Sequence, residues 1–136
     1  MIRSYIAENR ARFMEEWASL IRIPSISCQP AHKDDMLRCA ERWCELLLEA
    51  GAQHAEVMPS KGNPFVYAEY SPMEVEGERL EVKGKNIPTV LVYSHYDVMP
   101  VEPLDLWQSN PWEPTIREGR LYARGADDDK GQAMIQ

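Results

Sequence analysis

His95 and Asp97, together with the run Asp127-Asp128-Asp129, are the residues whose types and spacing are best suited to chemistry. Alternate residues of extended chain point the same way, so a carboxylate two positions after an imidazole can hold one ring nitrogen and leave the other as a basic ligand. By itself a His-x-Asp also fits a solvated strand end. Three adjacent carboxylates repel one another, and the repulsion is relieved by a bound cation, by Lys130 and Arg124, or by water. The triplet also fits an acidic surface turn, or a helix start, where the macrodipole favours negative charge. A calcium loop of the EF-hand type fits poorly, because Gly131 stands fifth from Asp127, where an oxygen ligand is required.

The elements around these residues decide whether they can meet. Thr89 to Ser94 is a short apolar run entered through Pro88, the pattern of a strand buried on both faces of a parallel sheet. His95 then falls at the carboxyl end of that strand, where ligands collect in open α/β sheets. Met99 to Pro114 carries Pro100, Pro103, Pro111 and Pro114 and predicts a pre-set irregular loop, with Trp107 and Trp112 anchoring it to the core. Thr115 to Arg124 alternates around Glu118-Gly119, predicting a hairpin that delivers the chain to the acidic triplet. Arg124 is expected to play a structural part there.

Upstream, Ile2, Ile6, Phe13, Trp17, Leu20 and Ile21 share one stripe at helical spacing, which predicts an amphipathic first helix ending before Pro24. Ile23 to Ser27 reads as a helix breaker. A second helix is expected from a cap at Asp34 or Asp35, with Met36, Cys39, Ala40, Trp43, Leu46, Leu47 and Ala50 repeating at three and four and Gly51 ending it. His32 and His54 have no partner at ligand spacing and are expected at the surface. Ala55 to Met58 and Pro64 to Tyr70 predict an antiparallel pair beside the Thr89 strand. Ser71 to Ile87 predicts a solvent-exposed excursion or an extra hairpin.

The chain has 136 residues, 44% of them hydrophobic and 27% charged, which suits one soluble globular unit. Its net charge of −7 argues against nucleic acid or an anionic membrane as partner. The amino terminus lacks a signal-peptide core and no apolar run approaches a membrane span, so a cytoplasmic location is expected. The odd count of cysteines, Cys28, Cys39 and Cys44, predicts reduced, buried thiols.

Four motifs follow one another in order: His95-Tyr96-Asp97-Val98; Leu106-Trp107 through Asn110-Pro111-Trp112; Gly119 to Gly125; and Asp128-Asp129-Lys130-Gly131. Together they resemble the dinuclear zinc metallopeptidases, a family of cytosolic non-specific dipeptidases, carnosinases, aminoacylases, succinyl-diaminopimelate desuccinylases and glutamate carboxypeptidases. The likeness covers roughly residues 88 to 131 and is greatest to the dipeptidase branch. It implies an α/β fold: part of a three-layer catalytic domain, with two amino-terminal helices and a mixed sheet. Residues 1–136 would be the amino-terminal part of that domain.

The resemblance further implies that His95 binds one metal, that Asp128 bridges two, and that Asp97 orients His95 beside the catalytic centre. A carboxylate can hold two cations about 3.5 to 4 Å apart, which an imidazole cannot. The two divalent ions would be zinc, with manganese or cobalt fitting a carboxylate-rich bridged site nearly as well. A cis peptide bond is implied between Asp128 and Asp129. The substrate would be a dipeptide or a small N-acyl amino acid, and the complete enzyme a homodimer. In the family a later Glu serves as general base, and a further Glu, Asp and His complete the metal shells; none of these is supplied here, so the 136 residues alone are expected to be inactive. An N-acyl-amino-acid deacylase or desuccinylase is the alternative within the family, and a catalytically silent binding or structural domain the alternative outside it.

Overall fold

Apolar spacing and chain breakers produce two long helices, α1 (Ile2–Ile21) and α2 (Lys33–Glu49). The computed structural model describes residues 2–71, of which 54–58 and 65–69 are strands, the paired strands at 74–75 and 78–79, and residues 88–135. The expected stripe of α1 is buried only at its far end, through Ala18, Leu20 and Ile21, while Ile2, Tyr5 and Ile6 are exposed. Only the last turns of α1 meet the rest of the described chain. The earlier turns are held by local contacts, including an Arg12–Glu16 pair at 2.6 Å and an edge-on contact of Tyr5 with Phe13.

The start of α2 differs from expectation. A 3₁₀ turn at Pro30–His32 runs directly into the helix, so His32 occupies the cap position and no side chain caps the helix. Asp34 and Asp35 sit inside the first turn, where their charge still complements the helix dipole. Asp35 Oδ2 lies 2.7 Å from His32 Nδ1, which gives that half-buried histidine a partner. Met36, Cys39, Ala40 and Leu46 form the buried face as expected, but Ala50 is exposed. Of the thiols only Cys39 is fully buried, and Cys28 is exposed.

Leu20, Cys39 and Leu46 form the core, with Ile23, Trp43, Tyr96 and Met134 packed against them. Burying a leucine stabilises by about 2 kcal/mol, so this cluster is what joins the end of α1 to α2 and to the chain on either side of the acidic triplet. The strands are antiparallel pairs. β1 (His54–Met58) pairs with β2 (Phe65–Glu69), His54 opposite Glu69 and Met58 opposite Phe65, and both pack on α2. β3 (Glu74–Val75) pairs with β4 (Glu78–Arg79), so the excursion contains a hairpin; its expected exposure lies outside the described residues. β5 (Thr115–Arg117) pairs with β6 (Arg120–Tyr122) as the alternation predicted.

The expected mixed sheet is replaced, among the described residues, by these three separate two-stranded sheets. Thr89 to Ser94 is not a strand, and Leu91 within it is 90% exposed. Its composition is that of a buried strand, but a strand exists only through the ladder it makes with a neighbour, and no described strand lies beside it. No helix among the described residues is long and apolar enough to cross a membrane.

The β5–β6 turn places Glu118 at φ 50° and Gly119 at φ 76°, the pair of positive values that a two-residue hairpin loop requires. Glycine adopts this without cost and glutamate does not. Glu118→Asn is expected to raise stability by about 0.5–1 kcal/mol in urea denaturation; a variant no more stable than the parent would show that Glu118 gains compensating contacts.

Candidate metal centre

The loop after Ser94 and the turn before the short helix α3 (Lys130–Ala133) bring the two predicted halves together. His95 Nδ1 lies 3.0 Å from Asp97 Oδ1 and 3.1 Å from the Asp97 carbonyl oxygen, while Nε2 lies 3.1 Å from Asp128 Oδ1. Asp129 turns the other way and accepts the His95 backbone N–H at 3.0 Å. The expected cis peptide stands between Asp128 and Asp129; by their contacts the two neighbouring carboxylates serve different ends. His95, Asp97 and Asp128 line one cleft of about 150 Å³ with Val98, Met99 and Arg124.

Both ring nitrogens of His95 face oxygen acceptors. Partial burial pulls the imidazole pKa down, but the charge of Asp97, the hydrogen bond to its carbonyl, and Asp129 and Asp128 together outweigh burial and raise it above the ordinary value. Such a ring is held rigidly by Asp97 and offers its other nitrogen toward Asp128. Asp128 is 82% exposed and is free of the core.

The cations next to the triplet do other work. Lys130 is fully buried, and its Nζ donates to the carbonyls of Leu20 and Ile23, each at 2.8 Å. It adds a charged donor at the carboxyl end of α1, where the dipole favours a cation, to carbonyls that also accept the Ile23 and Ser25 N–H groups; burial lowers its pKa, against the pull of Cys39, Asp35 and Asp97. Arg124 Nη2 donates to the Pro100 carbonyl at 2.9 Å and its backbone N–H to the Pro111 carbonyl at 2.8 Å, the structural part expected of it. Trp107 Nε1 donates to the Val101 carbonyl at 2.8 Å, a bond within the proline-rich loop that braces it internally.

Two residues passed over as a breaker join the site. Ser25 Oγ donates to the Tyr96 carbonyl at 2.7 Å, and the Ser25 carbonyl accepts the Val98 N–H at 2.9 Å. Ser27 Oγ donates to Asp97 Oδ2 at 2.5 Å. Ile23 to Ser27 is therefore a splint, bonded through Ile23 to Lys130 on one side and through Ser25 and Ser27 to residues 96–98 on the other. The signal in the sequence was the pair of serines after Pro24, one residue apart, which can face the same strand.

Among the described residues no group of three or more His, Cys, Asp or Glu side chains is arranged to hold a metal ion. The donor chemistry of His95 and Asp128 nevertheless fits part of a divalent-metal shell. One imidazole nitrogen and one carboxylate oxygen converge, and the imidazole is oriented by a second carboxylate, as ligand histidines usually are.

Residues 91–136 match the family model described as Peptidase family M20/M25/M40. A cysteinylglycine-S-conjugate dipeptidase of Corynebacterium striatum is 31% identical over 130 residues, 96% of this chain and 26% of that protein. The chain belongs to peptidase family M20/M25/M40. Human carnosine dipeptidase 1 superposes with a TM-score of 0.78, with 25% identity over 96% of this chain and 28% of that one. A succinyl-diaminopimelate desuccinylase of an Azoarcus strain is 54% identical over 48 residues, 35% of this chain and 13% of its own. This M20 chain thus spans about a quarter of the dipeptidases it matches along its length. The likeness in fold to the carnosine dipeptidase extends over most of this chain, its two long helices included.

Proposed function

We propose that this M20 chain carries the amino-terminal part of the active site of a metal-dependent hydrolase that cleaves dipeptides. The observation that supports this most is the convergence of His95 Nε2 on Asp128 Oδ1 at 3.1 Å while Asp97 holds the other ring nitrogen. In this reading His95 and Asp128 would hold divalent ions, with Asp128 shared between two, and the remaining ligands and the proton-accepting carboxylate would come from outside residues 1–136. When bound, zinc ions supply Lewis acidity toward the scissile carbonyl and make a water acidic enough to be deprotonated near neutral pH. Asp97 keeps the His95 ring oriented and its proton on Nδ1, so that Nε2 remains a ligand. Asp129, bonded to the His95 N–H, fixes the loop against the acidic turn.

Hydrolysis of an N-acyl amino acid is the second reading, favoured by the 54% identity of the 48-residue stretch shared with the desuccinylase. Both are tested by assaying dipeptides and N-acyl amino acids with the 136-residue chain and with the full-length gene product, in zinc or manganese and in chelator. Chelator-sensitive hydrolysis by the full-length product only is expected, with dipeptides preferred. A preference for succinylated substrates would favour the second reading. Absence of cleavage of either class would remove the hydrolase proposal.

A further inference from the structure

The serine splint reaches the site at a single side chain. Within residues 95–98 Ser25 meets backbone, the Tyr96 carbonyl and the Val98 N–H, whereas Ser27 bonds a carboxylate oxygen of Asp97. Asp97 thus has both oxygens engaged, Oδ2 by the Ser27 hydroxyl at 2.5 Å and Oδ1 facing His95 Nδ1 at 3.0 Å. Rotation of the carboxylate about its Cβ–Cγ bond would break both contacts together. The Ser27 carbonyl faces the Asn63 amide at 3.5 Å, which ties the residue to the loop between β1 and β2.

We infer that Ser27 is a positioning residue of the metal centre: its hydroxyl locks the Asp97 carboxylate in the orientation that keeps the His95 proton on Nδ1 and the Nε2 lone pair available to a metal. The inference rests on the proposal that His95 is a metal ligand. It adds a third member, from the far end of the chain, to the His95–Asp97 pair. Ser27 is half-buried and lies outside the core cluster, so losing one oxygen atom there leaves the packing of Leu20, Cys39 and Leu46 intact.

The test compares the parent full-length protein with Ser27→Ala and Ser27→Thr, the latter keeping a hydroxyl. Zinc and manganese affinities are read by competition with a chromogenic chelator, and urea midpoints control for folding. Ser27→Ala is expected to bind metal about tenfold more weakly and Ser27→Thr within about twofold of the parent, because partners behind a ligand tune its affinity by roughly 10–100-fold. Independently, the ring-nitrogen NMR signals of His95 are read in the metal-free protein at about pH 9, where an imidazole is neutral. The parent is expected to show mainly the Nδ1–H tautomer, and Ser27→Ala a mixture that Ser27→Thr reverses. Unchanged metal affinity and unchanged tautomer in Ser27→Ala would overturn the inference. So would equal losses in the Ala and Thr variants. Were the parent to bind no divalent ion, the metal-ligand proposal for His95 would fall, while the tautomer signals would still decide whether Ser27 sets the ring.

Discussion

Replacing Gly131 by alanine is expected to cost about 3 kcal/mol or more of folding stability, a fall of roughly 10 °C in Tm. A β-carbon at this position would sit 2.0 Å from the Ala126 carbonyl oxygen and 3.0 Å from both the Ala126 carbonyl carbon and Trp17 Cζ2. The nearest of these atoms is backbone, so no rotamer change relieves the contact. The chain must instead move at Ala126, one residue before the acidic triplet, or at α1. The loss of stability is therefore expected to come with a loss of the His95–Asp128 approach, visible as altered His95 ring signals. Gln132→Ala, an exposed change one residue away, is the control and should stay within about 0.5 kcal/mol of the parent. A Gly131→Ala protein that melts with the parent would mean that the turn accommodates a methyl group by a movement the present geometry does not suggest.

Lys130→Met is expected to destabilise by about 2–3 kcal/mol. Methionine keeps the apolar stem but removes the ammonium, leaving the carbonyls of Leu20 and Ile23 without their 2.8 Å donor. Hydrogen bonds from a charged donor contribute about 1.5–3 kcal/mol each, and release from burying the ammonium offsets part of the loss. The pH dependence separates these terms. Burial holds the folded pKa of Lys130 below its ordinary value of 10.5, so between the folded value and 10.5 the unfolded chain binds more protons than the folded one. Parent stability from this group therefore rises as pH rises through that window, and the gap between parent and Lys130→Met should widen on the alkaline side. Urea titrations at neutral and alkaline pH read both effects. Equal stability of the two proteins at neutral pH would show that the two hydrogen bonds only balance the cost of burying the charge.

Legibility in the sequence followed the range of the interaction. His95 and Asp97 are two residues apart, so their shared direction could be read from extended geometry alone, and the hairpin around Glu118-Gly119 declared itself through local turn chemistry. The approach of Asp128 to His95 spans 33 positions and was anticipated only through the ordered motifs. Lys130 was one of three ways offered for relieving the repulsion of the triplet, yet its side chain is drawn to the carbonyls of Ile23 and Leu20, 107 and 110 positions away. For Ser27 the only local signal was its spacing from Ser25; the partner, 70 residues on, could not be read from it. Thr89 to Ser94 shows the opposite limit. Its composition specifies what kind of surroundings it suits, but pairing is a property of two segments, and no described strand supplies the second.

The splint also has a consequence for the order of events during synthesis. The last carbonyls of α1 are made at the beginning of the chain, but their donor on Lys130 follows 110 residues after Leu20. At ribosomal speeds of about 5–20 residues per second, that interval is roughly 5–20 s. Over this time the nascent helix can bring Leu20 against α2, while its carboxyl end has only the nearby Arg22, Ile23 and Ser25 N–H groups and water as donors. The ammonium that completes the oldest element arrives on the same few residues as the acidic turn, so helix end and metal centre are finished by one late segment.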